Sequence, residues 1–216
     1  MTPPDHSKFK RAHRVTTVDG SSVADRAEAF ALWTELAAKG YIRSTFYLGV
    51  CFDNGIGTRV NRRKAFEAYL RAARDGHTEA QYDVYQMSRR GIGTTKNLRR
   101  AIYWLRKAAE KGDTEAVRDL GYCYHEGIGL RVNHRKAAAL YRIAAKAGDA
   151  KAQWNLALSY DAGDGVPQSA RWTTYWMEKA AKNRHEKAPA YLKKRPNKPI
   201  QRTVQQRRFA PLLPGH

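Results

Sequence analysis

Cys123, His125 and Glu126 stand side by side in this chain, and a thiol, an imidazole and a carboxylate are the parts from which a nucleophilic or metal-ligating cluster is made. The seven histidines, at positions 6, 13, 77, 125, 134, 185 and 216, form no His-Glu-x-x-His pair that would hold zinc on one helix face. Gly55-Ile56-Gly57, Gly91-Ile92-Gly93, Gly127-Ile128-Gly129 and Gly163-Asp164-Gly165 resemble phosphate-cradling turns only superficially. Each lies between two helix patterns instead of following a strand, and no phosphate-loop lysine motif accompanies them. Cys123 falls next to an apolar helix stripe, where a thiol is more ordinary as core filler than as a nucleophile. No catalytic residue, no cofactor and no metal are therefore expected.

The elements that would position these residues follow a strict period. The glycine pairs return every 36 residues, and Ala72-Ala73, Ala108-Ala109, Ala144-Ala145 and Ala180-Ala181 keep step with them. Self-similarity at such a period marks a stacked repeat array. Ser44, Ala80, Ala116, Ala152 and Ala188 start an apolar stripe that continues four residues later at Leu48, Val84, Leu120, Leu156 and Leu192, one face of a first helix. The first glycine of each pair stops that helix, because glycine takes the left-handed conformation at little steric cost.

Asn61, Asn97, Asn133 and Ser169 then stand ready to cap a second helix, whose face is drawn by Ala65, Ala101, Ala137 and Thr173 and by Tyr69, Leu105, Tyr141 and Met177. Gly40, Gly76, Gly112 and Gly148 end it, and Arg184 breaks this last series, where the array is expected to close. Tyr85 and Ser88 depart from the pattern together and read as exchanged bulk. The expected fold is all-α, a right-handed α-solenoid of antiparallel helix pairs in which each pair buries one face only against the next. Residues 1–24 read as a flexible N-terminal extension and 25–194 as the repeat domain. That domain comprises a leading helix over 25–39, four pairs over about 43–183 and a capping helix near 185–194, with residues 195–216 a disordered basic tail.

Leu120-Gly121, Tyr124, Gly127-Ile128-Gly129, Asn133, Lys136-Ala137 and Ala144-Ala145-Lys146-Ala147-Gly148 together resemble the Sel1-like repeat, a relative of the tetratricopeptide repeat with a longer loop. The resemblance runs from about Asp25 to Leu192. It implies an adaptor that holds a protein or peptide partner in a concave groove lined by first helices, as in bacterial regulators of signalling or host interaction. Weak hydrolysis, attributed to some cysteine-rich secreted members, is a third and weaker reading, since the regular cysteine pairs of those members are missing here.

On the first-helix face opposite the core stripe, Arg43, Glu79, Glu115 and Lys151 form one column, Phe46, Tyr82, Arg118 and Trp154 a second, and Val50, Gln86, Tyr122 and Leu158 a third. Phe46, Tyr82, Arg118, Tyr122, Trp154 and Leu158 are the candidate partner-binding residues, because exposed Trp, Tyr and Arg dominate interface hot spots. The same rings would serve equally well packed between helices, and the sequence leaves the two open. A second candidate surface is the basic edge at the loop-to-second-helix junctions, Arg62, Arg63, Arg99, Arg100, Arg135 and Lys136, where an acidic protein or a nucleic acid could bind. Bases at a helix start oppose the helix dipole, so local helix energetics do not explain them.

Composition bounds these readings. The chain has 216 residues with 40 Lys and Arg against 20 acids, a net charge of +20. That balance favours anionic partners and resists self-association, so a monomer is expected. No stretch is apolar enough for a secretory signal or a membrane span, which points to a cytoplasmic protein with no membrane contact. Cys51 and Cys123 lie two periods apart, roughly 20 Å in a stack of helices spaced ~8–10 Å. A disulfide needs Cα atoms within ~7 Å, so two free thiols in a reducing compartment are expected.

Overall fold

The computed structural model describes residues 2–17 and 20–194. Eleven helices occupy them: α1 (Pro3–Thr17), α2 (Val23–Ala38), α3 (Ile42–Asn54), α4 (Arg62–Arg74), α5 (Thr78–Arg90), α6 (Leu98–Glu110), α7 (Thr114–Glu126), α8 (His134–Lys146), α9 (Ala150–Ala162), α10 (Ala170–Lys182) and α11 (Ala188–Lys194). No strand occurs among the described residues. The tail expected over 195–216 lies outside them. The chain divides into two compact units, with the boundary after Asn133.

In the first unit, α1 to α7 pack each on the next along the chain. The small positions Ser44, Ala80 and Ala116 are fully buried, as are Ala65, Ala101 and Leu105 on the second helices. Such residues let helix axes approach closely while larger neighbours fill the gaps. Tyr85 is buried where Gly49 and Gly121 stand in the neighbouring pairs, and Ser88 is buried where they carry Phe52 and Tyr124. Bulk has been exchanged within one turn, and the Arg100 guanidinium reaches Ser88 Oγ at 2.9 Å to complete the filling.

The caps follow the sequence pattern. Asn61, Asn97 and Ser169 each accept a hydrogen bond from the backbone N–H three residues on, and Asp113 and Asp149 do the same for α7 and α9. The backbone N–H groups of Asn61, Asn97 and Asn133 reach back to the carbonyls of Phe52, Ser88 and Tyr124 at 2.8 Å. That tie fixes the length of each loop between paired helices.

The first glycine of each pair ends its helix in the left-handed region, with φ of 72° at Gly55 and 77° at Gly91. The second glycine has a different task. A Cβ at Gly57 would lie 2.1 Å from the carbonyl oxygen of Arg26, and one at Gly93 would lie 2.0 Å from that of Arg62. These two loops thus seat their backbone on the first turn of the second helix in the preceding pair, whereas Gly129 meets the Ile102 side chain, 3.0 Å from its Cβ position.

Residues 1–24, expected to be a flexible extension, instead carry α1 and the start of α2, with Met1, Val18 and Asp19 outside the described set. The cause is a helical stripe without the 36-residue period. Phe9, Ala12 and Val15 pack with Ala29, Trp33 and Leu36. Trp33 stacks on Tyr47 with centroids 4.7 Å apart, meets Phe9 edge-on at 5.0 Å and donates its indole N–H to Thr16 Oγ1 at 2.9 Å. Lys8 pairs with Glu35 at 2.6 Å, and Asp5 accepts from Lys39 and from the Tyr41 hydroxyl, holding the Asp5 carboxyl well below its ordinary pKa.

In the second unit, α8 packs on α9, α9 on α10 and α10 on α11. Gly165 repeats the seating loop, with a Cβ position 2.1 Å from the carbonyl oxygen of His134. Arg184 does not break the turn series after all. It adopts φ 64°, the left-handed conformation that glycine takes at the equivalent positions, at a cost of about 1–2 kcal/mol for a side-chain-bearing residue. The short α11 covers the end, its Tyr191 hydroxyl donating to Asp161 at 2.7 Å and its ring meeting Trp154 edge-on.

Candidate functional site

A helix presents one stripe through positions i, i+3, i+4 and i+7, so the face of α5 away from the core carries Glu79, Tyr82, Asp83 and Gln86. The matching face of α7 carries Glu115, Arg118, Asp119 and Tyr122. A hydrogen-bond network joins the two helices. The Tyr82 hydroxyl donates to Asp119 Oδ2 at 2.9 Å, Gln86 Nε2 donates to the Tyr82 oxygen at 2.9 Å, and the Arg118 guanidinium pairs with Asp119 at 2.9 Å and Glu115 at 3.6 Å. Burial and the adjacent Asp119 charge raise the Tyr82 pKa, so the phenol stays a donor at neutral pH.

The six candidate residues fall into distinct environments. Phe46 is 9% exposed and stacks on His77 at 4.4 Å, with Tyr69 and Tyr47 also against it. Trp154, in the second unit, is half-buried and stacks on His185 at 4.6 Å. Arg118 is 9% exposed and held in the α5–α7 network, and Tyr82 is half-buried there. Tyr122 and Leu158 stand out from the surface, 42% and 37% exposed. In the first unit the ring left exposed is thus Tyr122, on the helix that carries Arg118 of the α5–α7 network, and in the second unit the exposed apolar side chain is Leu158. His77 and His185 occupy one slot of the repeat and shield the large rings of Phe46 and Trp154. Burial pushes both imidazoles below their ordinary pKa, so they stack as neutral rings.

The basic edge is likewise heterogeneous. Arg62 is ion-paired with Asp53, and Arg63 pairs with Glu67 one turn along α4 at 3.2 Å. Arg100 is committed to the fold, donating to Ser88, to Thr94 Oγ1 at 2.7 Å and to the Thr95 carbonyl at 3.0 Å, with its guanidinium 5.0 Å from the Phe66 centroid. Arg99 is exposed and makes no ion pair among the described residues, and Arg135 and Lys136 of the second unit are exposed. Arg100→Ala is expected to lower stability by about 1–2 kcal/mol, given its three hydrogen bonds and partial exposure, whereas Arg99→Ala leaves the urea midpoint unchanged. Equal midpoints for the two variants would show that Arg100 is a surface base like its neighbour.

The Cys123 thiol is fully buried, and burial pushes its pKa up, so the nucleophilic thiolate is disfavoured. His125 Nδ1 lies 3.0 Å from Glu126 Oε1. Cys51 is buried with its pKa pushed up to about 12, and both cysteines are free. No described helix is long and apolar enough to cross a membrane. Glu79 and Glu115 form a column with Arg43 and Lys151 that the sequence shows, but sequence reasoning passed over Asp83 and Asp119. Their signal was legible as one further pair at the repeat spacing, acidic in a chain of opposite net charge.

The Sel1 repeat model matches residues 42–77, 78–113, 114–149 and 150–185, and the chain belongs to the Sel1 repeat family. Sel1 repeats commonly serve as protein-interaction scaffolds. Among solved structures, the chain is similar to a Sel1 repeat protein from Oxalobacter formigenes, with 28% identity over 96% of this chain and 87% of that one and a TM-score of 0.81. It is also similar to c5321, a protective antigen present in uropathogenic Escherichia coli strains displaying an SLR fold, at 27% identity and a TM-score of 0.80. That match covers 87% of this chain but only 41% of the longer antigen. Helicobacter pylori cysteine rich protein B matches 62% of the chain at 26% identity, with a TM-score of 0.50. No curated protein matches.

Proposed function

We propose that the protein is a non-catalytic, monomeric cytoplasmic adaptor that binds a segment of another protein across the exposed faces of its first helices. The observation that carries this reading is the α5–α7 face. A ring that stands out, Tyr122, rises beside a polar network already locked by Tyr82, Gln86, Arg118 and Asp119. Side chains held before binding lose little entropy on binding, which is how a rigid surface gains affinity. Leu158 repeats the Tyr122 position one period later, in the second unit. The buried free thiols support a reducing compartment.

Tyr122→Ala combined with Leu158→Ala is expected to weaken partner capture at least tenfold, measured with purified partner, while helix content by circular dichroism stays at the wild-type level. Undiminished capture by this doubly truncated chain would remove the first-helix faces from the binding reaction. A polyanion-binding edge is the second reading, supported by the exposure of Arg63, Arg99, Arg135 and Lys136. It is the weaker of the two because Arg62 and Arg100, which would anchor the edge, are spent on Asp53 and on the Ser88 and Thr94 contacts.

A further inference from the structure

The α5–α7 face opposes the charge of the rest of the molecule. In a chain of net charge +20 it gathers Glu79, Asp83, Glu115 and Asp119, with the Arg118 guanidinium pairing two of them. Arg118 is already shared by Asp119 and Glu115. Asp119 is further satisfied by the Tyr82 hydroxyl and by Gln86 Nε2 at 3.5 Å. Asp83 differs from it. Half-buried on the same stripe of α5, Asp83 makes no hydrogen bond and no ion pair among the described residues.

The neighbourhood offers Asp83 no compensation. Burial raises its pKa to about 7, and repulsion from Asp53 on α3, Glu79 on its own helix and Asp113 and Glu115 at the start of α7 adds to the shift. From α4 it faces the Tyr69 phenol, whose own pKa is raised by burial and by Asp83 and Asp53, so that this ring stays protonated. His77, the imidazole preceding α5, is pushed towards its neutral form, and Arg62 is taken by Asp53. A carboxylate partly withdrawn from water without a counter-charge is an unfavourable arrangement that an incoming cation relieves. Tyr122, exposed on the adjoining stripe, adds a ring face of the kind that attracts ammonium and guanidinium groups.

Building on the scaffold reading above, we infer that this face docks a basic peptide segment of the partner protein, with a Lys or Arg side chain paired to Asp83 and flanking cations over Glu79, Glu115 and Tyr122. Charge complementarity selects this occupant. A neutral or acidic segment would cover Asp83 without supplying a counter-charge, which costs more than leaving it half in water. Discrimination of this kind by an unpaired, half-buried charge acts against wrong partners as well as for the right one.

The test is fluorescence anisotropy with the full chain and three labelled peptides of equal length, one of alternating Lys and Ser, one of alternating Glu and Ser, and one uncharged. The Lys peptide is expected to bind tightest despite the positive charge of the protein. Its affinity should rise roughly tenfold between pH 6 and pH 8 as Asp83 ionises. Asp83→Asn should weaken binding at least tenfold and flatten that pH profile, and Asp83→Glu should retain most of it. Asp83→Asn should also raise the urea midpoint at pH 8. A carboxyl whose folded pKa lies above its unfolded value binds more protons when folded, so its contribution to stability falls as pH rises through the interval between them. An opposite pairing of results, tighter urea resistance with weaker peptide binding, is what a purely structural residue would not give. If the Lys peptide binds no tighter than the uncharged one, or Asp83→Asn leaves its affinity and pH profile unchanged, the inference is wrong. Binding of the uncharged or Glu peptide that is lost in the Tyr122→Ala, Leu158→Ala chain would leave the scaffold reading standing while overturning the basic partner.

Discussion

Gly93→Ala is expected to destabilise the protein by about 3–4 kcal/mol, combining the cost of a left-handed alanine with that of overpacking. At φ +66° the added methyl would sit 2.0 Å from the carbonyl oxygen of Arg62 and 2.5 Å from its carbonyl carbon. Both are backbone atoms of the first turn of α4, so no side-chain rotation can make room. The loop after α5 must lift from the preceding pair, and the Asn97 N–H to Ser88 carbonyl bond that fixes its length is strained with it. For a chain of this size that is a fall in Tm of about 10 °C. Gly112→Ala provides the contrast. There φ is +83° but nothing lies within 4 Å of the added atom, so only the backbone term of about 1–2 kcal/mol remains. Thermal melts of the two variants side by side check the claim. Equal shifts would mean that close approach of the loop contributes nothing beyond conformation.

Trp33→Ala should have a comparable effect confined to one end. Removing a fully buried indole costs about 3–5 kcal/mol, and here it also deletes the surface on which Phe9 and Tyr47 meet. The remaining polar ties of α1 are Lys8–Glu35, Arg11–Glu28, Lys39–Asp5 and the Tyr41–Asp5 hydrogen bond, beside the Phe9 and His13 ring contacts with Tyr47 that lose their backing. The exposed Lys8–Glu35 and Arg11–Glu28 pairs hold little, ~0–1 kcal/mol each, and the buried Asp5 alone does not replace the lost indole. The variant is therefore expected to release α1, with amide exchange over residues 3–17 approaching that of an unfolded chain while α9 and α10 keep their protection. Neighbour-limited stability in repeat arrays predicts this confinement. Uniform loss of protection in every helix would show instead that the chain melts as a whole. Trp33→Phe, which keeps an aromatic ring against Phe9 and Tyr47 while losing the bond to Thr16 and part of the indole volume, should leave α1 docked.

The elements that repeat were legible in advance because one spacing governs them all. The buried alanines, the capping asparagines and the helix-ending first glycines each occupy one slot in every period, and a sequence aligned on itself exposes such slots. What lacks the period stayed hidden. The Phe9, Ala12 and Val15 stripe of α1 is an ordinary helical pattern, yet nothing in a repeat-based reading marks it. Arg184 looked like a break because glycine was expected, although a side-chain-bearing residue can be forced left-handed when both flanking helices are fixed.

The site was legible as columns but not as exposure. Phe46 and Trp154 share a slot with Tyr82 and Arg118, and only the fold shows that His77 and His185 close over the two rings. Those histidines were visible at their slot, but their stacking depends on the register between one helix and the turn that follows its partner. Asp83 was missed for a related reason. An acid on a helix face reads as a solvated charge until burial and the absence of a counter-ion are known.

The second glycines bear on how such a chain can change length. Gly57, Gly93 and Gly165 meet main-chain atoms of the preceding pair. Every residue type carries the same carbonyl, so these three junctions make no demand on the identity of what they abut, unlike that of Gly129, which meets the Ile102 and Leu98 side chains. Whole modules can then be duplicated, excised or transplanted in the gene without re-evolving the seam, whereas a single-codon insertion in the loop would throw the register of everything downstream.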